Sequence, residues 1–461
     1  MTNPEQNTSA SEALIAEREK LEILNKKPLL TRWRGYWSLT GPGWMQSAMT
    51  IGGASAMSSL FAGAFLEYRL LWVQPVAIIL GIVMLYALSY QTIQTGVRPF
   101  DAMKRFVHPG LAWAWVIATL VSTLIWHFPM YALVGGMSED IIMAFTGVTF
   151  TSTQETIFLI IIGLMTLGIA TTIVFNYSKG HKGIKRFEQF LKTMIWLIIS
   201  CFLLVVIVQI YTKGIEWKRI FSGFFSFYIP TDKRGVTLMM ATFSATVGIN
   251  MTFLFGYSYL RRGWGKAHLG LAKFDLVTGM FFPFVIATSL MIIATAATIY
   301  DPSKFTDESV SLSPMEAASM LESSGIPMII SRFLFGFGII AMAINAITLH
   351  MLTCGFAICE VLGIPPKGNK YLLACLFPIP GVFGVILWKY MGAWIAIPTS
   401  AIAGIMLPIA YIGFFILNNS KKFLGENKPT GLKAFIWNIA MLTSIAASIG
   451  GATYFIYTIM Q

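Results

Sequence analysis

The chain has 461 residues, of which 12% are charged and 56% hydrophobic, with a mean hydropathy of +0.69. Soluble domains carry roughly 25% charged residues, so a water-soluble domain is excluded for the bulk of the chain. The net charge of +12 does not mark a nucleic-acid binder, because the basic residues punctuate the gaps between apolar runs.

The first 38 residues are polar and form a cytoplasmic tail with no signal peptide. Within it, residues 11–25 read as an amphipathic surface helix with Leu14, Leu21 and Leu24 on one side. Apolar runs then recur at 39–64, 71–95, 109–135, 155–176, 186–212, 236–260, 270–299, 326–360, 370–390, 393–418 and 434–458. Each run has at least the ~20 residues that match a ~30 Å hydrocarbon core. The runs are continuous instead of alternating, which selects helices over a barrel. The eighth is too long for one crossing and is expected to project into the cytosol. The predicted fold is an all-α integral membrane protein of about eleven transmembrane helices.

Counting Lys and Arg, the gaps on the side of the N-terminal tail carry 23 and the opposite gaps 8, with Lys192 and Arg332 inside spans. The positive-inside rule therefore places the N-terminus in the cytoplasm and the C-terminus outside a plasma membrane. The outer gaps hold carboxylates that would concentrate cations, Glu139 and Asp140 in one, Asp301, Asp307, Glu308, Glu316 and Glu322 in another. A hydrated loop would carry the same residues. The four cysteines lie in or beside apolar runs without metal-ligand spacing, so free buried thiols are expected.

Two spans look broken. Span one reads Gly41-Pro42-Gly43-Trp44 and then Ile51-Gly52-Gly53-Ala54-Ser55-Ala56, and span six reads Ser244-Ala245-Thr246-Val247-Gly248-Ile249-Asn250-Met251. Both place glycine and small polar residues at mid-membrane depth, five spans apart. Such a pair in corresponding positions of two halves points to an inverted-repeat transporter, with freed carbonyls able to ligate a cation. Ala48, Gly52 and Ala56 alone would equally serve close helix packing.

These residues resemble the NRAMP family of divalent-metal transporters. Gly41-Pro42-Gly43 followed by Leu66-Glu67-Tyr68-Arg69-Leu70-Leu71-Trp72 looks like that family's first helix and its exit. Ser244-Ala245-Thr246-Val247 looks like the lead-in to its sixth-helix metal motif, and Leu407-Pro408 with 418–425 is similar to the end of its tenth helix. The resemblance implies a 5+5 inverted-repeat fold of the LeuT type with helices 1 and 6 broken. The repeats would be residues 39–212 and 236–418, followed by an extra helix at 434–461.

The departures carry more information. The family's Asp-Pro-Gly-Asn falls on Gly52-Gly53-Ala54-Ser55, its Met-Pro-His falls on Gly248-Ile249-Asn250, and a later histidine falls on Phe255. This pattern is similar to the divergent NRAMP-related magnesium transporters. Thioether sulfur favours transition metals, whereas Mg²⁺ prefers oxygen and keeps several waters. A wider site of neutral oxygens suits such an ion. The predicted metal-site residues are Gly52, Gly53, Ser55, Thr246, Gly248 and Asn250. His127, Asn345 and Thr399 are further cavity-lining candidates, with packing the competing role for His127 and a cytosol-facing stripe for His350 and Asn345. Asp275 is expected to pair with a nearby Lys or Arg.

Span three holds no carboxylate between Asp101 and Glu139. The resemblance implies that proton coupling would need the family's helix-one aspartate, helix-six histidine and helix-three acids. All are lacking here, with His127 the one titratable group of span three, so transport is expected to be uncoupled from protons and driven by the gradient and membrane potential. The expected cargo is largely hydrated Mg²⁺, with Mn²⁺ and Ca²⁺ open, and the expected carrier is a monomer in the lipid bilayer without cofactor. Competing readings are a proton-coupled Mn²⁺ or broad divalent transporter, a small organic-solute transporter on the same fold, and a receptor or scaffold. No nucleophile–base pair or phosphate loop marks an enzyme.

Overall fold

The computed structural model describes residues 4–212, 214–301, 313–323, 325–391 and 396–461. Asp307, Glu308 and the start of the tenth run, 393–395, lie outside them. Every regular element among the described residues is helical. With no water in the bilayer, a helix satisfies each backbone group within its own segment.

The tail forms α1 (Pro4–Asn25) and α2 (Leu29–Trp37). The first span is two helices, α3 (Pro42–Thr50) and α4 (Gly53–Leu66), bent by 49°. There follow α5 (Val73–Thr95), α6 (Pro99–Phe106), α7 (Pro109–Thr146), α8 (Ser152–Tyr177), α9 (His181–Thr212) and the short α10 (Trp217–Gly223). The sixth span is again divided, into α11 (Lys233–Thr246) and α12 (Ile249–Arg262). Next come α13 (Leu269–Leu276), a π turn at Val277–Phe281, α14 (Phe282–Ala296), α15 (Pro314–Ser323) and α16 (Phe335–Val361). The chain ends with α17 (Gly368–Cys375), α18 (Gly384–Met391), α19 (Ala396–Ile405), α20 (Leu407–Asn419), α21 (Lys421–Leu424) and α22 (Gly431–Met460). Among the described residues, ten helical segments are long and apolar enough to cross a bilayer, and the bent α3–α4 pair, taken as one span, makes an eleventh.

Burial separates the middle of the bundle from its rim. The α11–α12 span is 83% buried within the protein, against 28% for both α8 and α22. The broken helices therefore form the centre. Small residues let the backbones close up there: a Cβ on Gly63 of α4 would overlap Thr295 Oγ1 and the Ile292 carbonyl of α14.

α1 has the expected amphipathic face, with Leu21 fully buried and Leu24 packed over Gly35 of α2. Two other sequence expectations change. The run at 393–418 is interrupted at Met406, where Pro408 in the first turn of α20 cannot continue a hydrogen-bond ladder from α19. Asp275 has the charges of Lys192 and Arg262 nearby but forms no direct ion pair among the described residues; it caps α3 instead, accepting Gly41 N–H at 3.1 Å and Gly43 N–H at 2.6 Å. A carboxylate there satisfies orphan N–H groups and complements the helix dipole.

Around that cap the start of α3 is tied down. Lys192 donates to the carbonyl and hydroxyl of Thr40 at 2.8 and 2.9 Å. Arg262 donates to the Leu39 carbonyl at 3.1 Å and faces Glu188 at 3.4 Å and Glu17 at 3.5 Å. Lys185 pairs with Glu17 at 2.8 Å, which brings α1 into the same cluster. At the opposite end, Arg332 bridges Asp140 at 2.5 Å and Glu322 at 2.7 Å. The four cysteines are free and buried.

Candidate functional site

Both midplane breaks are short and extended. Ile51 and Gly52 adopt φ/ψ of −81/53 and −99/−178°, and Val247 and Gly248 adopt −142/105 and −85/161°. No φ is positive, so these glycines serve close approach and not a left-handed turn. A Cβ on Gly52 would lie 2.8 Å from the Met49 carbonyl and 3.3 Å from Ala346 Cβ. On Gly53 it would strike Leu133 and the Met130 Cε, the latter at 2.7 Å. On Gly248 it would lie 2.7 Å from Asn250 Oδ1.

The two breaks face one cavity of about 40 Å³, lined by Gly52, Gly53, Gly248 and Asn250 from the expected set. One water needs roughly 10–15 Å³ of such volume, so there is room for about three water-sized particles. Met49 and Ala245, each one residue from the end of its half-helix, also line it. The last carbonyls of a helix lack intrahelical partners and carry partial negative charge. The C-terminal ends of α3 and α11 and the N-terminal ends of α4 and α12 thus meet at the same space.

The expected hydroxyls behave differently. Ser55 donates to the Thr50 carbonyl across the first break, and it lies 3.4 Å from the Ala245 carbonyl at the second. Thr246 donates back to the Thr242 carbonyl at 3.1 Å. Both brace the breaks and neither lines the cavity. Asn250 Oδ1 accepts the Met251 N–H at 2.9 Å, which leaves its second lone pair for another partner.

Sequence reasoning missed three sulfurs and a hydroxyl. Met49, Met130 and Met251 all line the cavity, as does Ser244, whose buried Oγ has no protein partner. The Met251 sulfur accepts the Gly248 N–H at 2.8 Å. It folds back one turn onto the position where the methionine expected of the family is lost, and the i, i+3 spacing was the available signal.

Of the further candidates, His127 is fully buried behind the cavity, its Nδ1 3.5 Å from Nδ1 of His350, which does line it. His127 Nε2 and the Tyr131 hydroxyl beside it have no protein partner. Asn345 is buried with both amide atoms unpartnered, and Thr399 is buried on α19, but neither lines the cavity. No Asp or Glu lines it, and the described residues hold no group of three or more His, Cys, Asp or Glu able to grip a metal ion.

A family model, natural resistance-associated macrophage protein-like, matches residues 43–457. The chain belongs to the Nramp family. Among relatives, the NRAMP-like transporter smf-3 of Caenorhabditis elegans is 24% identical over 206 residues, 45% of this chain and 34% of that protein. Natural resistance-associated macrophage protein 1 of Sus scrofa is 24% identical over 184 residues, 40% of this chain and 32% of that protein. These matches span about a third of each relative.

A solved manganese transporter of Eremococcus coleocola superposes with a TM-score of 0.65 at 13% identity, covering 93% of this chain and 96% of that one. Mhp1, a nucleobase-cation-symport-1 family transporter, gives 0.59 at 10% identity over 91% and 92%. At such identities the likeness establishes the fold, the LeuT-type architecture expected from the paired breaks. Family and fold are those of transporters.

Proposed function

We propose that this Nramp-family chain carries divalent metal cations across the plasma membrane as a monomer, with partly hydrated Mg²⁺ as its main cargo and no proton exchange. The observation that carries the reading is a cavity at two helix breaks lined by residues of both breaks, among them Asn250 and Ser244, and by no carboxylate. An ion stripped of its shell there would have no anionic ligand to offset dehydration. Mg²⁺ gives up water reluctantly, and room for about three water-sized particles admits the ion with part of its shell. The remaining ligands would be protein oxygens.

The absence of a carboxylate in the lining also supports uncoupled movement. Inward transfer of a divalent ion gains about 4.6 kcal/mol per 100 mV from an inside-negative potential, twice the single-charge value. That suffices without a second gradient.

A second reading, Mn²⁺ as the preferred cargo, is favoured by the three thioethers and the His350 imidazole in the same lining, and manganese is the cargo named for the Eremococcus coleocola neighbour. An amino-acid-sized solute fits poorly, since small-molecule pockets measure roughly 300–1,000 Å³ against about 40 Å³ here. The site is tested with Asn250→Ala in proteoliposomes. Mg²⁺ uptake is expected to fall about tenfold, the loss of roughly 1.4 kcal/mol of ligand contact, with the protein still monodisperse. Unchanged uptake would move the site elsewhere.

A further inference from the structure

Two grooves open on the tail-bearing face, away from the central cavity. The first, about 750 Å³, runs between α2 and the α13–α14 segment, and the second, about 940 Å³, between α5, α13 and α22. They meet at Lys273 and Val277, which line both. Each falls within the roughly 300–1,000 Å³ typical of small-molecule sites.

Their chemistry divides along their length. One part is apolar and uncovered: Leu29, Phe282 and Ile436 are 50%, 51% and 59% exposed. The other part is basic, with Arg32 and Lys266 beside the first groove and Lys428 and Lys433 beside the second. None of these four, nor Lys273, forms an ion pair among the described residues, while Glu426 is the one acidic residue in either lining. Two donors in the walls, Arg32 Nε and Trp437 Nε1, are shielded from solvent and have no protein partner. Tryptophan and tyrosine of this kind mark the membrane–water boundary, and basic pockets between membrane helices suit lipid headgroups.

We propose that these joined grooves are a binding site for an anionic glycerophospholipid, its phosphate at Lys273 and its acyl chains along the apolar walls. Charge selects the class: five unpaired cations face one carboxylate, so a zwitterionic headgroup leaves them uncompensated. The apolar walls exclude a free phosphate ion as the intended occupant. Lys273 stands two residues before Asp275, whose carboxylate holds the N-terminus of α3. A bound headgroup therefore braces the segment that caps the first broken helix.

The test uses the purified full chain in mixed micelles with phosphatidylglycerol or phosphatidylcholine, with retained lipid counted by native mass spectrometry. The triple variant Lys273→Gln/Lys428→Gln/Lys433→Gln is compared with Lys26→Gln/Lys421→Gln/Lys422→Gln, which removes the same charge from the same face outside the grooves. At about fivefold per cation, the groove variant should lose phosphatidylglycerol affinity roughly a hundredfold. The control should change less than about twofold, and millimolar inorganic phosphate should not displace the lipid. Equal retention of both lipids, equal loss in both variants, or displacement by inorganic phosphate would each overturn the proposal. Unchanged gel-filtration profiles for both variants separate lost binding from lost fold.

Discussion

Asn250 and Met251 stand side by side at the start of α12 and pull the cavity's chemistry in opposite directions. The amide offers a hard oxygen, and the thioether, held by the Gly248 N–H at 2.8 Å, offers a soft sulfur. Met251→Leu keeps the volume at a cost under about 1.5 kcal/mol while removing the sulfur. Mn²⁺ uptake should fall several-fold relative to Mg²⁺ in competition assays, and an unchanged ratio would show that the sulfur is only packing. Gly53→Ala places a methyl against Leu133 and Met130, so a loss of about 1–3 kcal/mol should appear as a lower melting temperature. Ser55→Ala removes the hydroxyl that links the two breaks. It should cost about 1 kcal/mol of stability with the apparent KM for Mg²⁺ nearly unchanged. The glycines were legible in the sequence because matching glycine-containing breaks recur in spans one and six, five spans apart, which packing alone does not require. The hydroxyls of Ser55 and Thr246 were not, because a helical Ser or Thr has a carbonyl of the preceding turn within reach and spends its donor there.

The tail helix illustrates how elements constrain one another. Burial would raise the Glu17 carboxyl, but the nearby His181 ring, the Arg262 guanidinium and the Lys185 ammonium override it and hold it at about 2. A carboxyl below its ordinary 4.5 contributes stability that is complete above that value and is lost as pH falls toward about 2. Glu17→Gln should therefore lower the melting temperature at pH 7 and loosen α1 to proteolysis, with the difference from the parent protein shrinking below about pH 4.5. No difference at pH 7 would mean that Leu21 packing, and not charge, holds the helix. Span positions were readable because bilayer thickness fixes a length of ~20 apolar residues. The capping role of Asp275 was not, since it depends on which helix end lies opposite, a relation between Gly43 and Asp275, which are far apart in the chain.

Across the whole protein, the paired breaks, the family match over residues 43–457 and the LeuT-type neighbours agree on a transporter. The two half-helix ends converge on one small cavity whose lining has an amide, a hydroxyl, thioethers and an imidazole but no carboxylate. Under the proposed function, that composition links ion choice to energy coupling, with no carboxylate in the lining to exchange a proton. The identity of the lining could be read only in part from the chain, because α7 and α16 contribute Met130 and His350 from distant segments. The most direct test is uptake into proteoliposomes under an inside-negative potential, with Mg²⁺ followed by an internal dye and internal pH followed in parallel. The account predicts Mg²⁺ entry that rises with the potential while internal pH stays constant. Acidification that tracks ion entry, or no Mg²⁺ flux at all while Mn²⁺ enters, would contradict it.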